Sequence, residues 1–243
     1  MKKIFLLLFT FFFYSLSGQE ATTAWDYPVK PGSEKWKSLK SHKEMVEICQ
    51  IPEDIIHKLS TKDLAVICLD YPLFFTLTAF NNMQDGFEHI KKDFNGFKEL
   101  YNRVDASKEL MLLYHDIDPR EVMSKNTDLE KGNFMFNIFF LEYMLAQKDI
   151  INTLSYEDTK IFLIECLNKV EQKNEASFSS FQTQTTHLIM VRILFYKNLY
   201  PFIEEYESNK KNYDRFINGI MLPGKGLLND IEIMTKEFIS KAN

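Results

Sequence analysis

The sequence predicts an all-α protein, and three observations carry that expectation. Helix-start signals recur at short intervals, each a small polar residue followed three positions later by an acid and then by an apolar run. Between them apolar residues step by three and four, the period of one helix face, and no segment alternates apolar and polar residues long enough to make a strand. With eight glycines and seven prolines in 243 residues, the chain lacks the turn residues that a many-stranded sandwich or barrel needs at every reversal.

Residues 1–18 read as a secretory signal peptide. Lys2 and Lys3 precede an apolar run over 4–13, broken only by Thr10, and the small residues Ser15, Ser17 and Gly18 follow it. At about ten residues the run is half of the roughly 20 needed to span a bilayer as a helix. The expectation is an exported protein, periplasmic or extracellular, soluble after cleavage and without a transmembrane segment in the mature chain. The first cysteine is Cys49, too far from the cleavage region for a lipid anchor. Residues 19–33 have little periodicity and predict an extended arm. Its aromatic residues Trp25 and Tyr27, with Trp36 just beyond, have two readings: packing along the body, or an aromatic lip that binds a ligand.

Residues 34–243 read as a single all-helical domain with a sub-boundary near 116–130. Its form is an irregular superhelix of short stacked helices continuing into a C-terminal bundle of longer ones. Ser41 with Glu44 and Ser60 with Asp63 are helix starts, and Pro52 takes the first helical position ahead of Glu53 and Asp54. The segments 44–49 and 63–68, each followed by a proline, resemble one another at a period of about 20 residues, which makes the region helical-repeat-like; chance similarity explains two copies equally well. Phe87, Ile90, Phe94, Phe97, Tyr101 and Val104 draw one core-facing stripe through two helices broken near Asn95-Gly96. Asp105 or Ser107 caps the next helix, which runs to the turn His115-Asp116-Ile117-Asp118-Pro119. Longer helices follow over about 133–147, 156–173, 178–199, 201–218 and 227–240. Asn137, Glu142 and Arg192 interrupt the most apolar of them, so these are core helices and not membrane spans.

Charge and motif content exclude several functions. The net charge is −5 and becomes two units more negative once Lys2 and Lys3 leave with the signal; no Lys/Arg cluster fit to neutralise phosphates is present, which argues against nucleic acid. The chain has no nucleophile elbow, no His-Glu-x-x-His, no phosphate loop and no Cys-x-x-Cys. Neither a cofactor nor a catalytic residue is assigned. His115, Asp116 and Asp118 form a turn with an imidazole and two carboxylates, donors suited to one divalent ion; the plainer reading makes Asp118 a cap and Asp116 a solvated side chain. Cys49 and Cys68 lie near the ends of two helices, a placement that admits a disulfide, against the alternative that all three cysteines are unpaired core residues. Cys166 and His187 would be a nucleophile pair only if their helices meet.

The strings Tyr27-Pro28-Val29-Lys30-Pro31-Gly32-Ser33-Glu34-x-Trp36, Glu44-Met45-Val46-Glu47-x-Cys49-Gln50-Ile51-Pro52-Glu53, Tyr71-Pro72-Leu73 and Phe94-Asn95-Gly96-Phe97-x-Glu99-Leu100 together resemble an uncharacterised family of exported bacterial proteins over about residues 25–115. The resemblance implies a bacterial, exported protein and supplies no activity or site residue. The functional expectation is a non-enzymatic module or scaffold that binds a protein or peptide. A metal-dependent or hydrolase-like enzyme centred on His115–Asp118 is the alternative.

Overall fold

The computed structural model describes residues 25–220 and 223–241. The expected signal peptide and its cleavage site, with the arm up to residue 24, lie outside the described residues. All regular structure among the described residues is helical, with no strand. The first half is built of short pieces: α1 (Glu34–Lys37), α2 (His42–Ile48), α3 (Glu53–Ile56), α4 (Thr61–Leu69), α5 (Met83–Asp93), α6 (Asn95–Asn102) and α7 (Ala106–Asp116). Tight 3-10 turns at Phe74–Ala79 and Pro119–Ser124 join α4 to α5 and α7 to α8. The second half has α8 (Asp128–Leu145), α9 (Lys148–Thr153), α10 (Tyr156–Glu175), α11 (Ser180–Tyr196), α12 (Phe202–Tyr206), α13 (Lys210–Ile217) and α14 (Lys225–Lys241).

Caps set most of the starts, because a side-chain oxygen satisfies an amide that the first helical turn leaves without a partner. Ser33, Ser41, Ser60 and Asn82 each accept from the backbone amide three residues on. Thr127 with Glu130, Ser155 with Asp158 and Ser179 with Gln182 form complete capping boxes. The Thr127 box starts α8 at Asp128, five residues before the sequence reading placed it. Pro52 occupies the cap of α3 and not its first helical position. Asp105 caps α7 by position only, since its carboxylate accepts the Thr61 hydroxyl at 2.8 Å instead. The expected helix over 201–218 is broken at Asn209, whose backbone leaves helical angles (φ −134°, ψ 30°). Gly219 closes α13 with φ +79°: its amide bonds Phe216 O at 2.9 Å and the Ile220 amide bonds Arg215 O at 2.9 Å, the paired geometry that a left-handed residue after a helix allows.

The apolar stripe of α5 and α6 is buried at Phe87, Ile90, Phe94 and Phe97, but Val104 is 95 % exposed. α6 ends at Asn102 and Arg103 is extended (φ −81°, ψ 134°), so the helical period no longer applies at 104. Gly86 lets α5 sit directly on the preceding 3-10 turn, since a Cβ there would lie 2.3 Å from Leu77 O.

One cluster of buried side chains extends from Tyr27 to Phe238, with a small satellite of Val122, Ile138 and Phe178 under the second 3-10 turn. At its centre is α11, which packs on α8, α9, α10, α12, α13 and α14. Every residue from 183 to 194 of this helix is buried, including Thr183, Gln184, Thr185, Thr186, His187 and Arg192. A helix enclosed on all sides needs a partner for each polar side chain. His187 finds one in Glu232 of α14, at 3.0 Å. That hydrogen bond is the main reason the Glu232 carboxyl is held below its ordinary value of 4.5. A depressed folded-state value means that the stabilisation is present above 4.5 and is lost as pH falls through the lower, folded value. Urea unfolding as a function of pH should therefore show a steeper acid-side loss in the wild type than in Glu232→Gln; identical acid limbs would remove this contact from the account.

Candidate functional site

The residues singled out by the sequence fall into separate places. Tyr27 is inside the core, its hydroxyl donating to Ile67 O at 2.7 Å and its ring packed edge-on by Trp25 at 4.7 Å. Trp25 and Trp36 are half-buried against the same core. The arm from residue 25 on packs along the body, and Tyr27 keeps no face free for a ligand. Cys49, Cys68 and Cys166 are buried free thiols, so no bridge joins Cys49 to Cys68. Burial pushes the Cys49 thiol up to about 11 and the other two well above their ordinary value, which leaves them protonated core residues at neutral pH. His187 has Thr183 O at 3.1 Å from Nδ1 and Glu232 at Nε2, so neither ring nitrogen remains to activate Cys166.

His115, Asp116 and Asp118 have different surroundings. His115 is exposed, with Nδ1 3.4 Å from Glu165 Oε2 across on α10, and Asp116 is exposed as well. Asp118 caps the second 3-10 turn through the Arg120 amide at 2.9 Å and forks onto the Arg120 guanidinium, 2.7 Å at the closest. The guanidinium holds its carboxyl below the ordinary value. Among the described residues these three bring no shared set of donor atoms together; the donors that do converge are those of His42, His89 and Asp93.

The most enclosed polar group is the Glu142–Lys173 pair. Glu142 Oε2 accepts from the Lys173 ammonium at 2.6 Å and from Thr185, while Oε1 accepts from the Tyr114 and Thr186 hydroxyls at 2.6 Å each. Lys173 also donates to Gln182 O and to the Thr186 hydroxyl, both at 3.0 Å. Burial lowers the Lys173 ammonium from its ordinary value, an effect the carboxylate opposes, and burial raises the Tyr114 phenol. Both charged side chains are out of reach of solvent and both oxygens of Glu142 are taken. The network fastens α7, α8, α10 and α11 to one another and offers nothing to a substrate.

A groove between α7 and α10 is open to solvent. Met111, Leu154 and Phe162 line it, and Leu112 and Ile161 stand beside them 48 % and 51 % exposed. Lys108 and His115 border it on the α7 side, Asp158 and Glu165 on the α10 side. Its volume is about 260 Å³, below the roughly 300–1,000 Å³ of drug-sized ligand sites. It suits one or two apolar side chains and not a cofactor. Sequence reasoning missed these residues, although a signal was present: positions 110–113 are all apolar, more than a single stripe can bury, so one of them has to face outward. A second exposed apolar area, an aromatic ridge, joins Phe75 to Phe136 at 5.1 Å between ring centres, with both rings more than 40 % exposed. Comparison with protein-family models, curated proteins and solved structures finds no match.

Proposed function

We propose that this protein is an exported bacterial binding module that seats an amphipathic helical segment of a partner protein in the groove between α7 and α10. The observation that carries the reading is the exposure of Leu112 and Ile161 on facing helices above an apolar floor. Exposed aliphatic side chains grouped around a concave seat mark partner sites more often than scattered ones do. The rim fixes the occupant's chemistry. Basic Lys108 opposes acidic Asp158, so a helix laying an apolar stripe in the groove would carry acids along the flank facing α7 and bases along the flank facing α10. No helix among the described residues is long and apolar enough to cross a membrane.

A displayed library of amphipathic helical peptides tests the reading. Selected binders should carry that charge order. The double variant Leu112→Asp, Ile161→Lys should weaken them at least tenfold, about 1.4 kcal/mol, with the melting temperature unchanged because both side chains already face solvent. Binders that hold the double variant as tightly as the wild type, or a library that yields no binder, would reject it.

A further inference from the structure

His42, His89 and Asp93 are far apart in sequence and belong to none of the groups described so far, yet their donor atoms all lie within 4.8 Å of one another. We infer that these three side chains form a binding site for a late first-row divalent cation, with Zn²⁺ as the ion they fit best. This assignment is independent of the partner groove.

The geometry has three parts. His89 and Asp93 stand one helical turn apart on α5, the i, i+4 spacing that puts two side chains on one face; His89 Nε2 and Asp93 Oδ2 are 3.2 Å apart. Zinc–ligand distances of about 2.0–2.2 Å place neighbouring ligands of a tetrahedron about 3.3 Å apart, so this pair already has the spacing of one edge. The third donor, His42, is the first residue of α2, and its ring is exposed.

The end of α5 is anchored to the segment that follows α2. Gln50, just past α2, donates to Asp93 O at 3.0 Å and accepts from the Asn95 amide at 3.1 Å; Asn95 in turn accepts from the Ile51 amide at 3.0 Å and donates to Ile51 O at 2.7 Å. This reciprocal clamp fixes the end of α5, which carries Asp93, against the end of α2; His42 stands at the opposite end of that seven-residue helix. Supporting hydrogen bonds of this kind decide whether a ligand set is preorganised. Two imidazoles and one carboxylate select zinc and its neighbours over magnesium or calcium, which prefer an all-oxygen shell. The cleft beside them is open to solvent, which leaves a fourth position to a water molecule, the pattern of three protein ligands plus an exchangeable site.

Other histidines do not compete. His57 uses opposite ring nitrogens toward Glu53 and Glu99, at 3.4 and 3.7 Å, so the two carboxylates cannot share an ion with one nitrogen. His187 is enclosed within the core.

Titration of the metal-free full chain with Co²⁺, followed by its visible absorption, and with Zn²⁺ by calorimetry reads the site. One equivalent should bind, with the intense band of a four-coordinate cobalt centre and a rise in melting temperature. His89→Ala and the double variant His42→Ala, His89→Ala should each weaken binding at least tenfold while keeping the wild-type metal-free melting temperature, since both rings are exposed and the clamp uses neither. Asp93→Asn keeps the backbone carbonyl that Gln50 needs and should lose affinity in the same direction. Absence of a stoichiometric Co²⁺ band, or equal affinity in the double variant, overturns the assignment.

Discussion

Glu142→Ala should destabilise the protein by about 3–5 kcal/mol, the range found when one member of a buried ion pair is removed and the other is left in the core. The cause is specific. Glu142 accepts four hydrogen bonds, from Lys173, Tyr114, Thr185 and Thr186. Without it the Lys173 ammonium keeps only Gln182 O and the Thr186 hydroxyl. Lys173 is already held below its ordinary value by burial, and losing the carboxylate lowers it further. The folded state then gives up the proton at a lower pH than the unfolded chain does. Since the unfolded state binds more protons, the variant's stability should rise with pH up to the lysine's unfolded value of 10.5. The double variant Glu142→Leu, Lys173→Met removes both charges and should recover more than half of the loss. Urea unfolding with an unchanged m-value measures all three quantities. A loss below about 1 kcal/mol in Glu142→Ala would mean that water reaches the pair, and the network could then no longer be read as purely structural.

Why the sequence discloses the fold more readily than the site follows from the range of the interactions. Ser41 and Ser60 announce helices because a cap and the amide it satisfies are three residues apart. The stripe through Phe87, Ile90, Phe94 and Phe97 is legible for the same reason, and it misleads at Val104 only because the helix has already stopped. Glu142 and Arg192 could be recognised as core positions from the apolar runs around them, but not by their partners: Arg192 reaches Gln84, 108 residues away. His42 and His89 read as ordinary solvated histidines. The helices that carry them are joined by the Gln50–Asn95 clamp, four hydrogen bonds spanning more than forty positions, which no periodicity encodes. His115, Asp116 and Asp118 were the converse, adjacent in the chain and without a shared set of donor atoms, since Asp118 is spent on a cap and an arginine while His115 faces Glu165.

The same long-range logic makes Arg192 the residue whose conservative replacement should fail. Its guanidinium donates from Nε to Ile217 O at 2.9 Å, from one terminal nitrogen to Ala146 O at 2.9 Å, and from the other to Gln84 Oε1 at 2.7 Å. Ile217 is the last residue of α13 and Ala146 the cap of α8, so two helix C-termini direct their unpaired carbonyls at one cation. Their dipoles supply the negative potential that a carboxylate would otherwise provide. With 2 % of its surface exposed, the side chain has no water to fall back on. Arg192→Ala leaves two buried carbonyls without donors, each worth about 1–3 kcal/mol, and should lose about 3–5 kcal/mol in all. Arg192→Lys keeps the charge but not the planar fork. One ammonium cannot reach three acceptors held on α5, α8 and α13, so this variant should recover only the smaller part of the loss. Chemical denaturation of the two variants separates charge from geometry: if lysine restores wild-type stability, the charge alone matters and the fork has no structural role. If both variants are impaired, the geometry of the guanidinium is what matters, beside the Gln84–Gln147 and Lys91–Asp149 contacts that also hold α5 against the bundle.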